Sequence, residues 1–237
     1  MMRQAGGERR RQPEYLVAGD CALVVEYGDR IDAAINERVR RLDRRLAGAS
    51  IPGVIEAVPT YRSLMIIYDP GKIGLERLIE QIRALEDSAV SEPVPARAPV
   101  LIPTVYGGAY GPDLEFVARH NGLTEAEVVR MHSSADYTVY MIGFTPGFPY
   151  LGGMPESIAT PRLATPRTIV PAGSVGIAGN QTGVYPVESP GGWRLIGRTA
   201  LNLFDPAREN PVLLRPGDPV RFAPITGEEL ERARGRS

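Results

Sequence analysis

Between Gly143 and Gly197 the chain carries 11 of its 26 glycines and 8 of its 22 prolines. Proline fixes φ and disfavours helix at the residue before it, and glycine weakens a helix interior. A helical core is therefore excluded from this stretch. Its many apolar and aromatic residues also exclude a disordered linker. Short strands between tight turns remain. "TIVPAGSVGIAG", "QTGVYPVES", "GWRLIGRTAL" and the later "PVRFAPI" read as such strands, hence a β-barrel or sandwich. Within the stretch one phrase occurs twice, Thr160-Pro161-Arg162 and Thr165-Pro166-Arg167.

The first part of the chain has a different pattern. "YLVAGDCALVVEYG" predicts two strands broken at Gly19-Asp20. Ile31, Ile35, Val39, Leu42 and Leu46 recur at helical spacing, and so do Leu75, Leu78, Ile79, Ile82 and Leu85. "VIEAVPTYRSLMIIYD" predicts two more strands around Pro59-Thr60. The expected fold class is α+β: a ferredoxin-like domain over 14–92, a linker over 93–99 and a β-barrel domain over 100–226. The linker ends the proline-bearing stretch Glu86–Pro99. In the second domain, Pro112 suits the start of one short helix, and Thr124 with Glu127 makes a capping box for the next.

Composition narrows the chemistry. Lys plus Arg is 27 and Asp plus Glu is 28, a formal charge of −1, so there is no electrostatic case for nucleic acid. No apolar run approaches the roughly 18 residues of a membrane span. "MMRQAGGERRRQPEY" leads into no apolar signal segment, so a soluble cytoplasmic protein with a frayed basic start is expected. The single cysteine, Cys21, is read as a small buried hydrophobe. Two histidines and one cysteine provide no metal site of usual composition. No phosphate-binding loop and no dinucleotide fingerprint is present.

A few residues remain as candidates. His132, at a helix end, is either structural or a neutral-pH acid/base. Arg162 and Arg167 follow prolines on extended turns; such guanidinium groups suit a carboxylate or phosphate, or else pair with internal acids. "YPVESPGGWRLIGRT" adds Tyr185, Ser189, Arg198 and Trp193, the only tryptophan. Trp193 beside a glycine pair is a ligand platform or a core anchor.

"GFTPGFPYLGGMP", "TPRLATPRTIVPAGSVGIAGNQTGVYPVESPGGWRLIGRT" and the upstream "YGGAYGPDLEFVARHNGLTEAEVVRMHSSADYTVYMIGF" resemble the KipI/PxpB family. That family includes B subunits of 5-oxoprolinases, the subunit-one domain of allophanate hydrolase and an inhibitor of a histidine kinase. The resemblance runs from about Tyr15 to Ile225. It implies a ferredoxin-like domain and a cyclophilin-like β-barrel. It also implies an ATP-dependent hydrolase that opens 5-oxo-L-proline to L-glutamate, with this chain inactive alone. The implied partners are KipA-like (C) and LamB/YcsF-like (A) subunits. ATP would be bound largely with a partner, and no metal site is expected in this chain. On this reading His132 is the acid/base, and Arg162, Arg167, Arg198, Tyr185 and Ser189 meet substrate or phosphate. Phe144, Pro146, Gly147, Phe148 and Trp193 form the pocket wall. A histidine-kinase inhibitor, or an allophanate hydrolase or urea carboxylase-type module, is the alternative within the same family.

Overall fold

Residues 12–88 and 97–235 are described by the structure, a computed structural model. The frayed start and residues 93–96 of the expected linker lie outside the described residues. The chain divides into two units after Pro95.

In the first unit, strands β1 (Glu14–Val17) and β2 (Ala22–Glu26) form a hairpin, followed by helix α1 (Ala33–Ala49). Asp32 starts that helix by accepting from the Ala34 and Ile35 amides at 2.9 and 3.2 Å. The predicted stripe is buried at Ile35, Val39, Leu42 and Leu46. Ile31 is exposed because it precedes the cap. Strands β3 (Val54–Pro59) and β4 (Ser63–Tyr68) make the second hairpin, and helix α2 (Leu75–Asp87) closes the unit. The two helices, with Leu23, Val25, Leu64 and Ile66 of the sheet, form one apolar core. Each such side chain contributes roughly 1.5–3 kcal/mol by leaving water.

The sheet order is β1-β2-β4-β3, all antiparallel. This corrects the ferredoxin-like expectation in its connectivity. That fold runs β-α-β-β-α-β, whereas here the chain runs β-β-α-β-β-α. The strand beside β2 comes from the N-terminal hairpin instead of a segment after α2. Cys21 is also exposed, at the hairpin turn, and not buried as expected.

The second unit holds a closed seven-stranded barrel. Strand β5 (Val100–Tyr106) is followed by helices α3 (Leu114–His120) and α4 (Glu125–Ser134). The Thr124–Glu127 capping box starts α4. Next come β6 (Tyr137–Ile142) and β7 (Pro149–Gly152), a 3-10 turn at Glu156–Ile158, then β8 (Arg167–Val170), β9 (Ser174–Ala178) and β10 (Gln181–Val184). Strands β11 (Ser189–Gly191), β12 (Arg194–Arg198) and β13 (Pro219–Pro224) and helix α5 (Gly227–Arg234) complete it. The barrel order is β10-β7-β6-β13-β5-β12-β9. First and last strands pair in parallel, Val220 opposite Val100 through Pro224 opposite Thr104.

Alternation on β9 and β10 sorts two cores. Val175, Ile177 and Val184 join the barrel interior. Gly176, Ala178 and Gly183 face the other way, leaving a bare outer surface. A Cβ at Gly176 would stand 3.1 Å from the Trp193 Cβ, and one at Gly183 would stand 3.0 Å from the Phe148 ring. A second cluster settles on this glycine surface: Phe148, Val170, Ala178, Tyr185, Trp193 and Leu195. β8 and β11 pair with each other as a separate two-stranded sheet. Among the described residues no helix is long and apolar enough to cross a membrane.

Candidate functional site

The turn "GFTPGF" supplies one rim of a cleft. The Phe148 amide donates to the Thr145 carbonyl at 3.0 Å, with Pro146 and Gly147 between them. Gly147 has φ +79°. Proline at the second position and a positive-φ glycine at the third define a type II turn. Just before it, the Thr145 amide donates to the Gly143 carbonyl at 2.8 Å. That closes a γ-turn on Phe144, whose φ is +68°. Such a backbone costs a bulky residue about 1–3 kcal/mol. Phe144 nevertheless remains 60% exposed.

The Thr-Pro-Arg repeat supplies the opposite rim. Around Arg162 the backbone is held on both sides: the Pro161 carbonyl accepts from Arg194 Nε at 3.3 Å, and the Leu163 amide donates to the Gly192 carbonyl at 2.8 Å. The Arg162 guanidinium lies 5.9 Å from the Trp193 ring centre, at the outer range of a cation–π contact. Among the described residues no carboxylate pairs with it. Arg167 behaves differently. Its Nη2 lies 2.9 Å from the Asp113 carboxylate, and its Nη1 donates to the Trp193 carbonyl at 3.4 Å. Asp113 also accepts from the Leu195 amide at 2.7 Å.

Between these rims lies a cleft of about 300 Å³. Its walls are the rings of Phe144, Phe148, Tyr150, Tyr185 and Trp193. Phe148 meets Tyr185 and Trp193 edge-to-face at 5.1 and 5.4 Å. Leu163, Pro166, Pro190, Gly191 and Gly192 complete the lining, and Arg162 is its one ionised side chain. Burial pushes both phenols up. At Tyr150 the Arg162 charge opposes it. At Tyr185 the Trp193 backbone, Arg162 and Arg167 oppose it. Both tyrosines are therefore neutral donors at physiological pH. The cleft can hold an anion against aromatic faces, but nothing in it titrates near neutrality.

Of the residues expected from sequence, the cleft unites Phe144, Phe148, Arg162, Tyr185 and Trp193. Pro146 and Gly147 shape its rim without lining it. Arg167 is diverted to Asp113, the internal-acid alternative of the sequence reading, so its guanidinium braces the wall instead of facing a ligand. Ser189 is 9% exposed on β11 with its hydroxyl buried, beside the cleft at Pro190. Arg198 is elsewhere: Nε donates to the Ala172 carbonyl at 3.0 Å, and Glu231 and Arg234 of α5 are its charged neighbours.

His132 stands as a correction. It is fully buried in the barrel interior, with the Phe222 ring 4.3 Å away. Thr182 donates its hydroxyl to the Gly176 carbonyl at 2.9 Å, so its oxygen accepts from His132 Nε2–H at 2.9 Å. Nδ1 then accepts from Tyr106 at 2.8 Å. Burial holds the imidazole pKa down to about 3. A sealed, neutral, doubly bonded ring has no path to a substrate in the cleft.

Sequence reasoning missed Tyr150 and Asp113. Period-2 alternation with Phe148 marks Tyr150 as sharing the outer face. Asp113, beside Pro112, looks like an ordinary helix start. Among the described residues no group of three or more His, Cys, Asp or Glu is placed to hold a metal.

A closed barrel whose glycine-paved outer face carries an aromatic, arginine-rimmed cleft, joined in one chain to an α+β unit, defines the class. The chain belongs to the family of carboxyltransferase domains, subdomains C and D, matched over residues 13–214. It is similar to the B subunit of 5-oxoprolinase from Escherichia coli O157:H7, 51% identical over 89% of this chain and 94% of that protein. It is also similar to the B subunit of the Bacillus subtilis 5-oxoprolinase, 42% identical over 89% of this chain and 92% of that one. Among solved structures, TTHA0988 superposes with a TM-score of 0.78 at 39% identity over 87% of this chain, which spans 40% of that one. The urea amidolyase of K. lactis superposes at 0.75 with 27% identity over 93% of this chain, which spans 15% of it.

Proposed function

We propose that this chain is the B subunit of a cytoplasmic, ATP-dependent 5-oxoprolinase, which opens 5-oxo-L-proline to L-glutamate together with KipA-like (C) and LamB/YcsF-like (A) subunits. The observation that carries this is near end-to-end similarity to two proteins of that name. The lactam amide is a poor electrophile. Transfer of a phosphoryl group from ATP to its oxygen releases ADP and makes the ring carbon attackable by water. The C–N bond of that adduct breaks to leave an acyl phosphate, and a second water splits this to phosphate and the carboxylate of glutamate.

The cleft suits the holding of substrate in that scheme. Its charge and its neutral phenols supply anion recognition, and the general base comes from elsewhere in the assembly. A nucleoside triphosphate does not fit it: there is one unpaired guanidinium among the described lining residues and no Gly-rich anion cradle. ATP is therefore assigned to a partner, and no step on it is routed through this chain.

Reconstitution tests the reading. Co-expressed with the A and C subunits, the chain should support 5-oxoproline-dependent release of ADP and glutamate, and no pair of subunits should suffice. A complete set that is inactive, with this chain alone blocking histidine-kinase autophosphorylation, sinks it. Turnover of urea or allophanate in place of 5-oxoproline would move the chain to the amide-carboxylating branch.

A further inference from the structure

We infer that the cleft recognises the free carboxylate of a small, flat heterocyclic acid, and that the chain alone binds such an acid before any nucleotide or partner joins. The choice of 5-oxo-L-proline as that acid rests on the 5-oxoprolinase reading; the class of ligand rests on the cleft itself.

Charge comes first. Arg162 is the single ionised side chain in the lining, and no acidic residue lines the cleft with it. Its backbone is fixed by the bonds at Pro161 and Leu163, while no described carboxylate engages its guanidinium. A fork of donors held at a known place, without an acid, is matched by one planar carboxylate. Of Arg162, Arg167 and Arg198, only the first meets this condition, since Arg167 is paired with Asp113 and Arg198 does not line the cleft.

Shape comes second. Phe148 stands nearly perpendicular to Trp193 and to Tyr185, with interplanar angles of 85° and 84°. Phe144 stands at 82° to Phe148. These rings present both faces and edges to the space between them, which suits a flat ring and leaves little for a flexible chain. Phe144 carries a strained backbone yet is 60% exposed, so core burial is not what holds it there. Strain kept without burial points to a wall for a ligand.

The same features select against related molecules. A neutral lactam such as 2-pyrrolidinone has the ring but no anion. L-Proline and L-glutamate carry an ammonium beside the carboxylate, and the cleft offers it no acid. Substrate is thus held in preference to the opened product.

Trp193 is the only tryptophan in the chain and lines the cleft, so its emission reports occupancy directly. The intact chain, without ATP or partners, is titrated with 5-oxo-L-proline, 2-pyrrolidinone, L-proline and L-glutamate. A saturable change is expected for 5-oxo-L-proline, weaker by roughly 10- to 100-fold for 2-pyrrolidinone, the worth of a charge-assisted contact. Added salt should weaken only the acid. Arg162→Gln should bring acid and lactam to the same weak affinity with an unchanged melting midpoint; Arg162→Lys should recover part of the difference. No saturable response in the wild type, equal affinity for acid and neutral lactam, or undiminished binding by Arg162→Gln overturns the inference. An active reconstituted enzyme whose B chain ignores the acid would end this inference and leave the proposed function standing. Binding by the chain with no activity in the full assembly would do the reverse.

Discussion

At the end of α4, the helix carbonyls favour a charged His132 by roughly 0.3–1 kcal/mol. Full burial opposes this and holds the pKa at about 3. Each pKa unit corresponds to about 1.4 kcal/mol, so burial wins. The folded value lies below the unfolded value of about 6.5. The neutral ring's contribution is therefore complete above about pH 6.5, and it is lost as pH falls from there toward 3, by up to about 1.4 kcal/mol per unit. Chemical denaturation from about pH 7 to about pH 5 should show a loss of stability that His132→Gln lacks; parallel curves for the two proteins would refute the neutral, sealed ring. Arg167 makes a second residue-scale case. Removing it leaves the Asp113 carboxylate, only 7% exposed, with the Leu195 amide as its nearest donor. Arg167→Ala should cost about 1–3 kcal/mol in denaturant unfolding. A variant of full stability but low turnover would return Arg167 to direct contact with substrate. The two Thr-Pro-Arg phrases look alike in sequence. They part ways because Asp113, 54 residues from Arg167, reaches only one of them.

The loop from Gly143 to Phe148 was legible as turns, because Pro146-Gly147 has only a few allowed backbone solutions. What the loop does with Phe144 was not legible, since a γ-turn leaves no residue signature of its own. Gly147→Ala should destabilise by about 1–2 kcal/mol through the positive φ, with added crowding where a Cβ would come within 3.1 Å of Phe204 Cβ. Phe144→Gly should behave otherwise: relief of strain offsets glycine's entropy cost, leaving stability within about 1 kcal/mol of wild type while the cleft loses a wall. Thermal melting of both variants decides this, and a large loss for Phe144→Gly would show that the ring serves the fold. The alternation on β9 and β10 was readable too. Its meaning was not: small residues on the outward face mark where aromatic rings from β7, the β10–β11 segment and the start of β12 lie down.

Two apolar cores, one in each unit, organise the molecule, with the smaller aromatic cluster beside the barrel's own. A fragment beginning at Ala96 should accordingly fold alone, unfold cooperatively and retain the Trp193 emission of the full chain. A molten fragment with exposed tryptophan would show that the second unit needs the first. Local rules of the sequence determined much of this architecture. Period 3.6 placed α1 and α2, Gly/Pro punctuation placed the barrel strands, and Thr124 with Glu127 marked the start of α4, all through neighbours a few residues apart. Only tertiary structure decided the rest. It supplied the sheet edge from the N-terminal hairpin, sealed His132 between Tyr106 and Thr182, and left Arg162 as the free guanidinium of the cleft while Asp113 took Arg167. In each instance the deciding partner is distant along the chain, and a side chain's charge state and availability follow from the groups that folding brings beside it.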